Sequence, residues 1–279
     1  MEHRDRAAGW KHAKLSGHKN EDLVKDLLDH DSEYAAAFLH RLGYAGEHIT
    51  STSIGGLHET DVPSVSGSRK TKSKTDLKVY ISNGDIVNIS IKKSLGGQVY
   101  FVRAGLFIET FEKQFHQVIP ESVKRAINLF WAAAVDADEI IEQYADRTNL
   151  GNYDLQIRHH SLNATTLQAY NPSLHDDLLN WFTNHIKEVT KLCFAMGAVR
   201  DSEEWSDFVW YINLLGENDI DTLFSISDIC NATDHCAQTE IFYSSKNGGT
   251  TIQLPFGFVQ WHQAQLQFHH KFEKVSKLI

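Results

Sequence analysis

The sequence has 279 residues, of which 42% are hydrophobic and 23% are charged. This length suggests about two domains of roughly 150 residues, or one large elaborated domain, and the composition excludes a disordered chain and a coiled coil. The longest apolar runs, such as 129–135, are far shorter than the roughly 20 residues that a membrane-spanning helix needs. The polar N-terminus has no apolar signal core, so we expect a cytoplasmic protein with no membrane partner.

The chain contains three cysteines, and their odd number and wide spacing argue against a disulfide framework. Cys230 and Cys236 lie near His235, but this spacing matches no common zinc motif and a fourth ligand is not evident. We therefore expect reduced, structural cysteines.

The net charge of −9 is distributed unevenly along the chain. Residues 66–93 contain seven Lys and Arg against two Asp, whereas residues 131–240 contain five basic and nineteen acidic residues. A local basic patch matters more for phosphate binding than the total charge does. The alternative is a lysine-rich loop that only faces solvent, and composition does not decide between the two.

The first predicted helix begins at Asn20, which is a residue that caps helices. Glu21 and Asp22 would lie in its first turn, where acids suit the helix dipole, and apolar residues follow at helical spacing. A second helix is predicted over 33–42. Residues 51–75 are rich in Ser, Thr, Gly and Lys and predict a loop or a poorly formed sheet edge.

Residues 76–93 give the clearest strand signal, because apolar and polar residues alternate on both sides of an Asn-Gly-Asp turn at 83–85. A third strand is predicted at 99–102. Helical patterns follow at 121–134, 137–145 and 174–196, and strand patterns at 207–214, 239–244, 250–254 and 256–261. We therefore predict an α/β region over 1–110, a helical region over 111–200 and a β-rich region over 201–279.

The register of the predicted hairpin decides which polar residues meet. A three-residue loop at 83–85 would pair Leu77 with Ile91 and make one face wholly apolar, which is the stronger constraint on register. The other face would then place Asp76 opposite Lys92 and Lys78 opposite Ser90, with paired Cβ atoms about 5 Å apart. The pattern thus brings a carboxylate, an ammonium group and a hydroxyl together beside the basic loop. The alternative is a cross-strand ion pair on a solvated face, which contributes only about 0.2–1 kcal/mol.

Such a set of groups suits phosphodiester hydrolysis. A carboxylate binds Mg²⁺ through hard oxygen ligands, and the metal polarises the phosphate and lowers the pKa of a water. A nearby lysine stabilises the developing negative charge or orients the attacking water.

Asp76, thirteen further residues and Ser90-Ile91-Lys92 resemble the core motif of PD-(D/E)xK nucleases, in particular type II restriction endonucleases. Residues 17–24, 88–99 and 266–270 also resemble stretches of such enzymes, and the core resemblance covers about residues 9–102. The resemblance implies a restriction-endonuclease-like mixed sheet flanked by helices. It also implies that Asp76 and Glu21 hold Mg²⁺, with Lys92 and Ser90 completing the catalytic set.

Two positions depart from the family pattern. Thr75 stands where a proline usually precedes the aspartate, at a tolerant position. Ser90 stands where the second acid belongs, so the site has one negative charge fewer. A hydroxyl can still hold a metal or a water, and neutral residues do occur at this position in the family. The change leaves open an active enzyme, weaker metal binding or an inactive homologue.

Six further residues are candidates for DNA contact. Three are lysines beside the core motif, one is a glutamine on the predicted third strand, and two are histidines in a segment whose Gln and His side chains suit base edges. These residues are Lys74, Lys78, Lys93, Gln98, His269 and His270. The aromatic residues near 205–211 are expected in the core.

Taken together, these features predict a Mg²⁺-dependent endonuclease that cleaves double-stranded DNA at specific sequences, with residues 1–110 as the catalytic core and 201–279 contributing to recognition. The alternatives are a structure-specific or repair nuclease, an inactive DNA-binding homologue, and an interaction protein whose acidic middle binds a basic partner. The size is compatible with a homodimer that matches a palindrome and with a monomer that nicks the strands in turn.

Overall fold

The structure is a computed structural model that describes residues 6–55, 61–66, 70–145, 162–216, 219–262 and 264–279. The helices are α1 (Arg6–His30), α2 (Ser32–Arg41), α3 (Ala104–Phe115), α4 (Glu121–Phe130), α5 (Ala137–Tyr144), α6 (Ala164–Tyr170), α7 (Pro172–Asn184), α8 (Ile186–Lys191), α9 (Ile226–His235), α10 (Ala237–Glu240) and α11 (Phe272–Leu278). The strands are β1 (Ile49–Ile54), β2 (Val62–Pro63), β3 (Lys70–Thr71), β4 (Leu77–Ile81), β5 (Ile86–Lys92), β6 (Gly96–Arg103), β7 (Phe208–Ile212), β8 (Asp221–Ser225), β9 (Phe242–Tyr243), β10 (Thr251–Leu254), β11 (Gly257–His262) and β12 (Gln265–Lys271).

The first sheet has the strand order β1-β4-β5-β7-β8. It is mixed, because β5 and β7 are parallel whereas the other neighbouring strands are antiparallel. Its apolar face packs against α1 and α2, and the ring of Phe38 stacks on Trp210 with 4.6 Å between the centroids. The predicted α/β class, with a mixed sheet flanked by helices, is confirmed.

The second sheet has the order β6-β12-β11-β10-β9 and is antiparallel throughout. Its buried side chains join those of the central helices in one large core, in which Phe107, Phe182 and Phe268 are fully buried. The opposite face of β7 contributes Val209 and Tyr211 to this same core. The two sheets therefore share one core between them. Strand β5 ends beside Tyr211 of this core at the half-buried residue Lys92.

Most predicted elements are present. The helices at 33–42, 121–134 and 137–145, the hairpin strands, the third strand and the strands at 208–212, 251–254 and 257–262 agree with the predictions to within a few residues. The single helix predicted over 174–196 is divided into α7, α8 and a π-helical turn at Leu192–Met196. Helices α3, α6 and α9 were not predicted. Residues 49–54 form the edge strand β1, which agrees with the sheet-edge alternative of the prediction for 51–75. The predicted strand 239–244 is mostly wrong, because residues 237–240 form α10 and only 242–243 form β9.

The predicted start of the first helix is wrong. Helix α1 begins at Arg6, and Asn20 lies in its interior. The side chain of Asn20 is fully buried and donates to the carbonyl of Ile212 at 3.0 Å, and it accepts from the amide of Leu214 at 2.8 Å. Asn20 therefore anchors the helix to the end of β7 instead of capping it.

Each sheet combines strands from the first and last parts of the chain, since β5 pairs with β7 and β6 pairs with β12. The division into 1–110, 111–200 and 201–279 remains a prediction. Among the described residues, no helix is long and apolar enough to cross a membrane.

Candidate active site

The hairpin register differs from the predicted one by two residues. Leu77 pairs with Ile89 and Val79 with Val87, and the amide of Ile81 donates to Asp85. The loop is therefore 82–84, where Gly84 adopts a φ of 94°. A shift of two residues keeps the same side chains on the apolar face, so face composition alone does not distinguish the two registers. Lys78 consequently lies opposite Asn88 and not opposite Ser90, and Asp76 is not directly opposite Lys92.

Asp76 lies just before β4, where the ladder is irregular and the Asp76 amide donates to the carbonyl of Ile89. The amide of Ile91 donates instead to Oδ2 of Asp76 at 2.7 Å. The hydroxyl of Ser90 lies 3.2 Å from the same oxygen and donates to it. Both of these hydrogen bonds go to Oδ2, so they hold the carboxylate in place without using Oδ1.

Lys92 ends β5, and its side chain turns back over Ser90. Its Nζ donates to Oγ of Ser90 at 2.6 Å and to the carbonyl of Ile91 at 3.2 Å. The same Nζ lies 3.7 Å from Oδ2 of Asp76, and the side chains of Lys92 and Asp76 are 19% and 22% exposed. The sequence therefore predicted the meeting of the three groups, although by a different register.

Glu21 reaches the same site from α1, because the anchored neighbour Asn20 holds this turn of the helix against the end of β7. The Glu21 side chain is 14% exposed and contacts His18 at 3.1 Å between Oε2 and Nδ1. Burial raises the pKa of Glu21, and the negative charge of Asp76 raises it further, whereas His18 and Lys92 act in the opposite direction. This coupling brings a second carboxylate within electrostatic reach of Asp76 and Lys92.

The donor set fits a hard divalent cation. Asp76 and Glu21 offer carboxylate oxygens and Ser90 offers a hydroxyl, which are the ligand types that Mg²⁺ prefers. A cation between the carboxylates would relieve the repulsion that raises the pKa of Glu21. In the described part of the chain, no group of three or more His, Cys, Asp and Glu side chains is arranged to hold a metal. The candidate site therefore offers only the carboxylates of Asp76 and Glu21 as acidic ligands.

The three candidate lysines have different surroundings. Lys74 points inward, where its Nζ donates to the carbonyl of Val99 at 2.5 Å and lies 4.6 Å from the ring centroid of Tyr100. Burial lowers the pKa of Lys74 to about 8. Lys78 pairs with Glu204 at 2.6 Å. Lys93 directly follows Lys92 at the end of β5 and is half-buried. Lys93 remains a candidate for phosphate contact because of this position, and Arg69 of the basic loop lies outside the described residues.

Gln98 and the two histidines lie on the second sheet. Gln98 is exposed on β6, and His269 is half-buried on the outer side of β12. His270 points the other way, is 2% exposed and has its Nδ1 2.9 Å from the hydroxyl of Tyr211. Burial lowers the pKa of His270 to about 3, with a further contribution from the positive charge of Lys92. We therefore retain Gln98 and His269, but not His270, in the proposed DNA-facing set.

Tyr211 is a neighbour of the site that the sequence placed only in the core. It pairs with Lys92 in the parallel register of β5 and β7 and is fully buried, so the core prediction for this residue is confirmed. Its hydrogen bond with His270 joins the end of the first sheet that carries Lys92 to the second sheet. The proximity of Tyr211 to Lys92 follows from the parallel pairing of β5 and β7. The local sequence of either strand does not predict this pairing.

The three cysteines differ in their degree of burial. Cys193 and Cys230 are buried, Cys236 is half-buried, and all three are free. Burial raises the pKa of Cys230 to about 12. These properties agree with the prediction of reduced, structural cysteines.

Comparisons with known proteins give a similarity to a solved structure but no sequence match. Neither a protein-family model nor a curated protein sequence matches the chain. The solved structure of the restriction endonuclease MspI in complex with its cognate DNA is similar over 85% of this chain and 77% of its own, with a TM-score of 0.47 and 11% sequence identity.

Proposed function

We propose that this chain is a PD-(D/E)xK-type nuclease that hydrolyses phosphodiester bonds of double-stranded DNA with the help of Mg²⁺. The observation that carries the proposal is the contact network of Asp76, Ser90 and Lys92 within 3.7 Å, with the carboxylate of Glu21 near enough to interact electrostatically with Asp76 and Lys92. An ordinary surface ion pair has neither a buried hydroxyl between its charges nor a second acid whose pKa is raised.

Each residue has a distinct part in the proposed reaction. Asp76 and Glu21 would hold a divalent cation, which when bound would polarise the scissile phosphate and make a water more acidic. The Ile91 amide keeps the Asp76 carboxylate oriented. The ammonium group of Lys92 stabilises the negative charge that develops on the phosphate or orients the attacking water. Ser90 positions that ammonium group through its hydroxyl.

We further propose that cleavage is sequence-specific, as in type II restriction endonucleases. The test is to digest a defined phage genome with the purified protein in Mg²⁺ and in EDTA, and to sequence the ends that form. Discrete bands with one shared sequence at the ends, present only with Mg²⁺, are expected. Cleavage confined to branched substrates would instead indicate a structure-specific nuclease.

A second candidate function is binding of DNA without cleavage, and Ser90 in place of an acid is the observation that favours it. An inactive homologue would bind duplex DNA tightly in the absence of a divalent metal, and it would not cut DNA with any divalent metal. Restoration of cutting by Ser90→Glu would identify the serine as the cause of the lost activity. Cleavage by the natural protein excludes this candidate.

A further inference from the structure

The second sheet turns one face to solvent, and that face is polar and aromatic. Burial alternates along β12, so Leu266, Phe268 and His270 are buried while the residues between them are partly exposed. The register places outward residues of neighbouring strands side by side. The resulting face, which we call the outer face, includes Gln98, Phe258, Gln260, Gln267, His269 and Lys271.

Three glutamines form a hydrogen-bonded relay across three strands of the outer face. Gln260 on β11 donates to Oε1 of Gln267 on β12 at 2.8 Å, and Gln267 donates to Oε1 of Gln98 on β6 at 3.0 Å. Each amide carries both donors and acceptors, so the relay can reverse its direction. The amide nitrogen of Gln98 and the amide oxygen of Gln260 lie at its two ends and are not used by the relay itself.

His269 is held beside the relay in a fixed orientation. Its ring stacks on Phe258 with the centroids 4.6 Å apart and an interplanar angle of 8°, and its Nε2 lies 3.3 Å from Nε2 of Gln260. Burial lowers the pKa of His269, so the ring is neutral near pH 7 and offers one donor and one acceptor. The outer face thus presents oriented groups that both donate and accept.

The charge of this sheet is opposite to that of the protein as a whole. The chain has 36 Asp and Glu and a net charge of −9, yet the five strands of the second sheet contain no acidic residue. Arg103 and Lys271 lie at the two ends of the strand pair β6 and β12, and Nζ of Lys271 lies 5.7 Å from the ring centroid of Phe258. Strands that carry basic residues and no carboxylates suit contact with a polyanion.

The outer face begins close to the candidate active site along the chain. Strand β6 begins at Gly96, four residues after Lys92, and pairs there with Lys271 of β12. Strands lie about 4.8 Å apart, so the side-chain amides of the relay are spread over roughly 10 Å across the sheet. Glutamine amides match the donor and acceptor pattern of adenine in the DNA major groove.

We infer that the outer face reads base pairs in the major groove of duplex DNA, with Gln267 and His269 as specificity-determining residues. This inference rests on the proposed nuclease function, since it assigns the part of the chain that selects the cleavage site. The relay preorders the glutamine amides for the base edges, and the stacked ring fixes His269 next to them.

The test is a binding selection with the full chain in EDTA, which prevents cleavage. The probe is a pool of duplex DNA with a random central segment of about 12 base pairs. The proteins compared are the natural chain, Gln267→Ala, His269→Ala and the control Gln143→Ala, which changes an exposed glutamine on α5. Sequencing of the bound pools gives the base preference at each position.

Gln267→Ala and His269→Ala are expected to lower the preference at one or more positions by about 5-fold to 100-fold, whereas Gln143→Ala leaves every position unchanged. A variant that fails to fold would also lose its base preference, so Gln267→Glu is included as a second variant. Its carboxylate accepts only, so it should shift the preference at the same position towards cytosine, and misfolding cannot produce a new preference.

Two results would overturn the inference and keep the nuclease proposal. The first is that all three outer-face variants select the same sequence motif as the natural chain. The second is that single-stranded DNA competes for binding as strongly as the selected duplex does. In both cases the natural chain would still cleave DNA in a Mg²⁺-dependent way. Absence of both DNA binding and cleavage in the natural chain would overturn the proposed function together with the inference.

Discussion

The ammonium group of Lys92 and the carboxylate of Asp76 lie 3.7 Å apart, and the hydroxyl of Ser90 lies between them. The Ser90 oxygen is 2.6 Å from Nζ of Lys92 and 3.2 Å from Oδ2 of Asp76. The three groups form one hydrogen-bonded chain from acid to amine. A change in the middle of this chain therefore acts on both of its ends.

Substitution of Ser90 tests the positioning of Lys92. Ser90→Ala removes the acceptor that fixes the ammonium group, and we expect the rate of plasmid cleavage to fall by up to about 100-fold, as expected for a misplaced catalytic group. Ser90→Asp adds a third carboxylate and should lower the Mg²⁺ concentration that gives half-maximal cleavage. Ser173→Ala, at an exposed position on α7, is the control and should change neither quantity.

Lys93 is expected to contribute to the salt dependence of DNA binding. A protein that neutralises several phosphates releases counterions, so its affinity falls steeply with salt. Lys93→Ala should reduce the slope of log affinity against log salt concentration by about 0.9. Lys113→Ala changes an exposed lysine on α3 that pairs with Glu109, and its slope should equal that of the natural chain. A flat salt response of the natural chain would contradict phosphate tracking by this region.

Protonation of His270 should destabilise the fold in weak acid. Burial lowers the pKa of His270 in the folded state to about 3, below the ordinary value of 6.5. The unfolded chain therefore takes up a proton first as the pH falls, so the stabilising effect present above about pH 6.5 is lost progressively towards pH 3. Urea unfolding at several pH values should show a smaller loss in His270→Asn than in the natural chain.

The exposed His235 on α9 serves as the control for this titration. His235→Asn should leave the pH dependence of the free energy of unfolding as it is in the natural chain. An equal pH dependence in His270→Asn and the natural chain would show that His270 is not the responsible group.

Gly257 is required by the close approach of β11 and β12. A Cβ atom at residue 257 would lie 1.9 Å from the carbonyl oxygen of His269, so the backbone would have to shift. We expect Gly257→Ala to lower the free energy of unfolding by about 1–3 kcal/mol, as overpacking does. Gly105→Ala on α3 meets no atom within 4 Å and should leave the stability unchanged or raise it. Equal stabilities of the two variants would contradict this packing.

The candidate site was predictable because strand alternation preserves its residues. The sequence places Asp76, Ser90 and Lys92 on one face of a hairpin, and a register shift of two residues does not change that face. The geometry of the turn, with Gly84 in a left-handed conformation, fixes the register. The register was mispredicted because the turn sequence is compatible with more than one loop.

Features set by distant contacts were not predictable. The burial of Asn20 depends on backbone groups of Ile212 and Leu214, about 190 residues away in the chain. Strand β12 was missed because only Leu266 and Phe268 carry its apolar alternation, and the third inward residue is the buried polar His270. The proximity of Tyr211 to the catalytic end of β5 depends on a parallel pairing between distant segments.

The most direct test of the proposed nuclease is the rate at which purified variants convert supercoiled plasmid in Mg²⁺. Asp76→Asn and Lys92→Ala are compared with the natural chain and with the control Lys113→Ala, after thermal unfolding has shown that each variant is folded. We predict that the two site variants cleave about 10²-fold to 10⁴-fold more slowly, whereas the control cleaves at the natural rate. Cleavage by folded Asp76→Asn and Lys92→Ala at the natural rate would contradict the assignment of this site.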